Sequence, residues 1–158
     1  MDLILWRHAD AGDALADPVA DLERRLTSRG RKQAERMARW LHQRLPERYR
    51  VLSSPAVRTR ETAAALGVRV ELVPRIAPGC GVADHLAVLN WPDGLSARAG
   101  HVVLVGHQPV LGQLASTLLC GVEGDWSIRK GSLWWLSVRE RDGRLQFVVR
   151  AVVGPDLV

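Results

Sequence analysis

The chain opens with an unbroken apolar run, Leu3-Ile4-Leu5-Trp6, which stops at two basic side chains, Arg7 and His8. The run is far too short for a membrane span. Apolar residues without alternation are the pattern of a strand covered on both faces, as in a parallel sheet. Ligands of open parallel sheets gather at the carboxyl ends of the strands. An arginine and a histidine placed at that end are therefore aimed at an anion.

The same arrangement recurs downstream. His101-Val102-Val103-Leu104-Val105 is a second apolar run, closed by Gly106-His107, and Gln108-Pro109 then opens a helix with proline at its favoured first position. Val51-Leu52-Ser53-Ser54-Pro55 is a weaker third strand, with Arg58 and Thr59 in the first turn of the helix that follows. Three such strands would bring Arg7, His8, Arg58 and His107 to one rim. Arg58 would also lie near a helix N-terminus, where backbone N–H groups and the helix dipole favour an anion. The competing reading of Arg58 is a surface ion pair with Glu61.

Taken in order, Arg7-His8, Leu26-Thr27-Ser28-Arg29-Gly30, Ser53-Ser54-Pro55 with Arg58-Thr59 and Glu61-Thr62, and Gly106-His107 resemble the signature of the histidine phosphatase superfamily. The short length and the Asp21, Arg24 pair ahead of Leu26-Thr27 resemble its small phosphohistidine phosphatases of the SixA type. The resemblance spans roughly residues 2 to 120. It implies a phosphoglycerate mutase-like fold, with Asp21 and Arg24 at the pocket edge and His8 as nucleophile. One departure is plain: the family usually has glycine after the Arg-His pair, and this chain has Ala9. Alanine fits that turn if its φ is negative.

The 158 residues suit one domain, and a domain of that size buries about two-thirds of its unfolded surface. No apolar run approaches the ~20 residues of a membrane helix. Nothing at the N-terminus reads as an export signal, so a cytoplasmic setting is expected. Cys80 and Cys120 have neither metal-ligand spacing nor the density of a disulfide scaffold, and free thiols are expected. All but two of the 22 basic residues are arginine, giving a net charge of +5. Arginine suits bidentate contacts to phosphate. No stretch interleaves clustered basic residues with aromatics as a nucleic-acid groove would, so no nucleic-acid partner is expected.

Residues 9 to 21 have no periodicity and read as a loop over the rim, with Asp10, Asp13 and Asp17 as solvated carboxylates. Thr27 or Ser28 caps a helix to about Leu45, apolar at Ala34, Met37, Ala38, Leu41 and Leu45 and basic on the other face. A helix near 56 to 66, a short strand within 68 to 73, a helix from Val82 to Trp91 and another from Pro109 to Cys120 follow. Asp84 and His85, at the start of the 82 to 91 helix, read as a cap in preference to pocket residues. His101 reads as structural. Strands 132 to 139 and 145 to 153 join through Asp142-Gly143, a hairpin signal, with Trp134 and Trp135 on opposite faces and one of them exposed. The expected architecture is a three-layer α/β/α sandwich with a mostly parallel sheet and an antiparallel edge.

Two histidines and two arginines are a poor metal site, because guanidinium groups repel cations; no metal and no cofactor is expected. They suit a phosphoryl group, clamping its oxygens and offsetting the charge that spreads in the transition state. A histidine attacks only when neutral, and neighbouring guanidinium groups lower its pKa. His8 is the candidate nucleophile, with Arg7, Arg58 and His107 completing the clamp, though spacing alone leaves the order of the two histidines open. The general acid is Asp21, Asp84 or none. The expected activity is metal-independent dephosphorylation, with phosphohistidine on a protein as the substrate the resemblance favours. Small phosphomonoesters are the enzymatic alternative, and a non-catalytic phosphoprotein-binding domain is the other.

Overall fold

The computed structural model describes residues 1–91, 100–142 and 144–158. Six strands form one sheet: β1 (Asp2–Arg7), β2 (Tyr49–Ser53), β3 (Val70–Leu72), β4 (His101–Gly106), β5 (Leu133–Arg141) and β6 (Arg144–Val153), in the order β3-β2-β4-β1-β5-β6. The pairs β2–β3, β2–β4 and β1–β4 are parallel, while β5 runs antiparallel to both β1 and β6. This is the mostly parallel sheet with an antiparallel edge that the strand patterns call for.

Strand residues point alternately to the two faces, and each face collects its own helices. Leu3, Leu5, Val102 and Leu104 pack with Leu111, Leu114 and Leu118 of α5 (Val110–Cys120) and Val82 of α4 (Val82–Val88). On the other side Ile4, Trp6, Val103 and Val105 pack with Met37, Ala38 and Leu41 of α2 (Ser28–His42) and Ala63 of α3 (Val57–Ala64). Leu3, Ile4, Leu5 and Trp6 are all fully buried, which is why β1 reads as a continuous apolar run.

Several local expectations are corrected. The stretch before α2 is not all loop: Pro18–Leu22 forms a short helix, α1, with Asp17 accepting a hydrogen bond from Val19 N at 3.1 Å and proline in its first turn. None of its residues is buried, so it carries no periodic signal. Asp10 is not a merely solvated carboxylate, since it accepts from Thr27 Oγ1 at 2.8 Å and pairs with Lys130 at 3.1 Å. The α2 helix ends at His42, short of Leu45. Pro109 is the N-cap of α5 and not its first residue. Neither tryptophan of the pair in β5 is exposed, because Trp126 stacks on Trp134, ring centroids 5.4 Å apart, while Trp135 lies in the core. Asp142 has φ 52 beyond the end of β5, whereas Gly143 lies outside the described residues, as do positions 92–99.

Candidate active site

Sheet register alone brings the histidines together. Arg7 of β1 lies beside Gly106 of β4, so the next residues, His8 and His107, leave adjacent parallel strands side by side. His8 N donates to Gly106 O at 3.1 Å, and Ser54 N, beyond β2, donates to Val105 O at 3.2 Å. The imidazole rings of His8 and His107 meet with centroids 5.4 Å apart at 56°. Arg58, in the first turn of α3, is 4% exposed, and its charge acts on both His8 and His107.

Each of the four is held by a named partner. His8 Nδ1 lies 2.8 Å from Ala9 O, a pure acceptor, so Nδ1 carries the proton and Nε2 keeps its lone pair. Arg7 Nη1 donates to Ile128 O at 2.7 Å. His107 Nε2 and the Ser54 hydroxyl share a hydrogen bond of 2.8 Å. Arg58 Nη1 donates to Asp21 O at 2.7 Å, and its Nη2 is 3.2 Å from Asp21 Oδ2. Glu61, the rival partner, turns away from Arg58 to accept from Arg25 Nε and Leu26 N, both at 2.8 Å.

Asp21 and Arg24 join this set, as a pair. Arg24 Nε donates to Asp21 Oδ1 at 2.9 Å and its Nη1 to Ala11 O at 2.8 Å, tying the loop after β1 to α1. Arg25 does none of this, being exposed and paired with Glu61.

Burial is the first cause of the electrostatics. It pushes His8 down to about 4, helped by the charges of Arg58, Arg7 and Arg24 and opposed by the Ala9 carbonyl. Desolvation outranks the guanidinium charges expected from the sequence, because an imidazolium loses more on leaving water than these partly screened charges take from it. His107 is pushed down to about 2 by burial, then by Arg58, His8 and His85. Both imidazoles are therefore neutral at pH 7. Asp21 falls to about 2 through its hydrogen bond from Arg24, then that from Leu15 N, with the Arg58 charge adding to both.

The motif residues between these side chains are braces. Thr62 Oγ1 donates to Arg58 O at 2.7 Å and accepts from Ala9 N at 3.0 Å, locking the turn after β1 onto α3. Thr59 Oγ1 donates to Ser54 O at 2.9 Å. Gly30 is required by contact: a Cβ there would strike the Asp10 carbonyl oxygen. Ala9 is not among the positive-φ residues and is fully buried, so alanine fits where the family has glycine.

A family profile described as histidine phosphatase superfamily (branch 1) matches residues 3–79. The phosphohistidine phosphatase SixA of Escherichia coli K12 is 31% identical over 131 residues, covering 77% of this chain and 76% of that protein. The chain belongs to the histidine phosphatase superfamily. An uncharacterized protein of Picosynechococcus is 35% identical over 130 residues, 78% of this chain and 76% of its own. A solved structure of the protein histidine phosphatase SixA complexed with tungstate superposes with a TM-score of 0.77 at 26% identity, covering 99% of this chain and 98% of that one. Superfamily membership together with the SixA relative and the SixA structure makes this chain a phosphatase with the phosphoglycerate mutase-like α/β fold.

Two residues of this histidine phosphatase were misjudged or passed over. His85 is not a cap: Asp84 Oδ2 accepts from Gly81 N at 3.2 Å in that role, and His85 is fully buried with Nδ1 2.8 Å from Gly81 O. Its charge, when present, adds to the depression of His107. Its i+1 position after a capping aspartate disguised it. Ser54, which holds His107, carried no signal beyond its place in the Ser53-Ser54-Pro55 block. Among the described residues no three His, Cys, Asp or Glu side chains gather as a metal would need, and no helix is long and apolar enough to cross a membrane.

Proposed function

We propose that this phosphatase removes phosphoryl groups from phosphohistidine on a protein, through a covalent intermediate on His8. The observation that carries the reading is the His8 hydrogen bond to the Ala9 carbonyl, which leaves a neutral Nε2 aimed into a rim of guanidinium groups. A tetrahedral oxyanion, tungstate, is bound by a structurally similar phosphatase, in keeping with an anion at this rim.

In the first step the Nε2 lone pair attacks phosphorus while the P–N bond to the substrate imidazole breaks, its electron pair staying on the departing nitrogen. Arg7, Arg58 and His107 hold the phosphoryl oxygens as charge shifts among them. In the second step water attacks the same phosphorus, the bond to His8 Nε2 breaks, and inorganic phosphate leaves. The proton on His8 Nδ1 never moves, and the Ala9 carbonyl stabilises the positive ring that exists between the steps.

Substrate choice follows from the carboxylates. An alkoxide leaving group needs a general acid, worth typically ~10²–10⁴ in rate. Asp21 is ionised down to about pH 2, and Asp84 gives its oxygens to Arg75 and Gly81 N. Neither holds a proton at pH 7. An imidazole leaves far more readily than an alkoxide, so phosphoramidates suit the site better than alkyl phosphates. The proposal takes residues 1–158 as one catalytic domain working in the cytoplasm.

The test is a short incubation with 32P-labelled phosphohistidine protein and an alkaline quench. An acid-labile label on wild type, absent from His8→Ala, is expected. No label on wild type, or one that persists in His8→Ala, would overturn the mechanism. Comparable kcat/KM for a sugar phosphate would overturn the substrate assignment.

A further inference from the structure

Beside the rim, and sharing Arg7 with it, lies a groove of about 810 Å³ between α2 and the segment before β5. Six cationic side chains line it: Arg7, Arg29, Lys32, Arg36, Arg129 and Lys130. Only two carboxylates do, and both are already engaged, Asp10 by Lys130 at 3.1 Å and Asp156 by Arg129 at 3.6 Å. Among the described residues Arg29 and Lys32 make no ion pair, and both are exposed.

The basic row is costly to the helix that carries it. Lys32 and Arg36 are four residues apart on α2 and Arg29 is three before Lys32, so like charges face one another across single turns. Arg29 also sits in the first turn of α2, at the positive end of its dipole, where a cation is disfavoured. Arg36 ties α2 to the C-terminal segment by donating to Pro155 O at 3.1 Å, but the helix gains no such contact from Arg29 and Lys32, since its buried residues, Gly30, Ala34, Met37, Ala38 and Leu41, occupy the other face. A row that destabilises its own helix and opens beside the catalytic rim is accounted for by a ligand that supplies the missing negative charge.

We propose that this groove docks an acidic segment of the phosphorylated partner protein, holding carboxylates that flank the phosphohistidine while the phosphoryl group enters beside Arg7. This rests on the protein-substrate reading above and names what that protein must present. A free metabolite would have no use for cations strung over two turns of helix beyond Arg7. Exposed charges of this kind act chiefly on encounter and on discrimination among partners, and they are screened by salt.

The experiment uses two phosphohistidine peptides, one flanked by glutamates and one by lysines, together with free phosphohistidine, on wild type and on Arg29→Glu/Lys32→Glu. In wild type at low salt the glutamate-flanked peptide should show kcat/KM roughly tenfold or more above the lysine-flanked one, mainly through KM. The double variant should abolish or invert that preference, leave turnover of free phosphohistidine within about twofold, and lose the salt dependence of the acidic peptide. Equal turnover of the two peptides by wild type, or a preference untouched by the variant, would overturn the proposal. A second readout keeps the outcome separate from the catalytic reading: fluorescence anisotropy of the unphosphorylated glutamate peptide. Binding by wild type and not by the variant supports the groove even if no phosphohistidine compound is hydrolysed. A single-stranded oligonucleotide bound in place of the peptide would overturn it in favour of a nucleic-acid surface.

Discussion

Asp21 grips Arg58 twice, through its main-chain oxygen at 2.7 Å and its carboxylate at 3.2 Å, so the guanidinium is aimed by a residue of α1 thirty-seven positions upstream. The same carboxylate takes Arg24 Nε at 2.9 Å and Leu15 N at 2.9 Å. One aspartate thus fixes the loop after β1 and the cation that faces His8.

Replacing it separates that positioning role from acid catalysis. Asp21→Asn keeps the main-chain contact and loses the charge, so kcat/KM should fall roughly tenfold, alike for aryl and alkyl phosphates, as a clamp moved off its productive geometry would cause. A loss confined to alkyl phosphates, measured on p-nitrophenyl phosphate against a sugar phosphate, would make Asp21 the general acid instead.

Removal of any one clamp member should be expensive in rate. Arg7→Ala, Arg58→Ala and His107→Ala should each lower turnover by roughly 10²–10³, the range for losing one stabiliser of transition-state charge. Near wild-type rates in Arg58→Ala would show that its burial at the rim is architectural only. Turnover should persist in excess chelator, and its loss there, with recovery on adding a divalent cation, would contradict a metal-independent clamp.

The two depressed histidines set the pH behaviour. His8 stays neutral down to about 4, so the acid limb of kcat/KM for an aryl phosphate should fall near pH 4 and not near the ordinary 6.5 of histidine. Stability moves in the same window. Between 6.5 and about 4 the unfolded chain takes up protons at positions 8 and 107 that the folded chain refuses, so folding stability is full above 6.5 and is lost as the pH falls. Asp21, lowered from 3.8 to about 2, adds a further loss between those values. Denaturant titrations from pH 8 to 4 should therefore show a falling midpoint, with a shallower slope in His107→Gln; an unchanged slope would mean that His107 is not held neutral.

Gly30→Ala tests the contact between α2 and the loop after β1. Its Cβ would meet the Asp10 carbonyl oxygen, which is backbone and cannot rotate away. Overpacking of this kind costs about 1–3 kcal/mol, and because Thr27 N also donates to Asp10 O, at 3.0 Å, the loop should shift as well. A lower melting temperature with reduced activity is expected; a neutral result would show that the loop yields freely.

What the chain's own order of residues determined is the part that depends on local pattern. Buried parallel strands read as apolar runs, and their ends can be found by eye, so Arg7, His8, Arg58 and His107 were legible as one rim, as were the hairpin edge and the face of α2 that turns to the core. Less legible was everything set by contacts between distant segments. The short helix α1 buries nothing and so has no period; its meaning lies in Asp21, whose partners Arg24 and Arg58 lie three and thirty-seven positions downstream. His85 looked like a helix cap because Asp84 precedes it, and only packing shows it fully buried, with Nδ1 2.8 Å from Gly81 O. The proton on His8 Nδ1 is assigned by one carbonyl, that of Ala9, whose peptide plane is held by Asp10 N donating to Gln33 Oε1 at 3.0 Å. The basic groove is likewise a tertiary product, since Arg29, Lys32 and Arg36 share a helix face but meet Arg129 and Lys130 only across the fold. Periodicity reports which side of an element is buried; which atoms then face one another is decided by register and loop closure, and those belong to the folded chain.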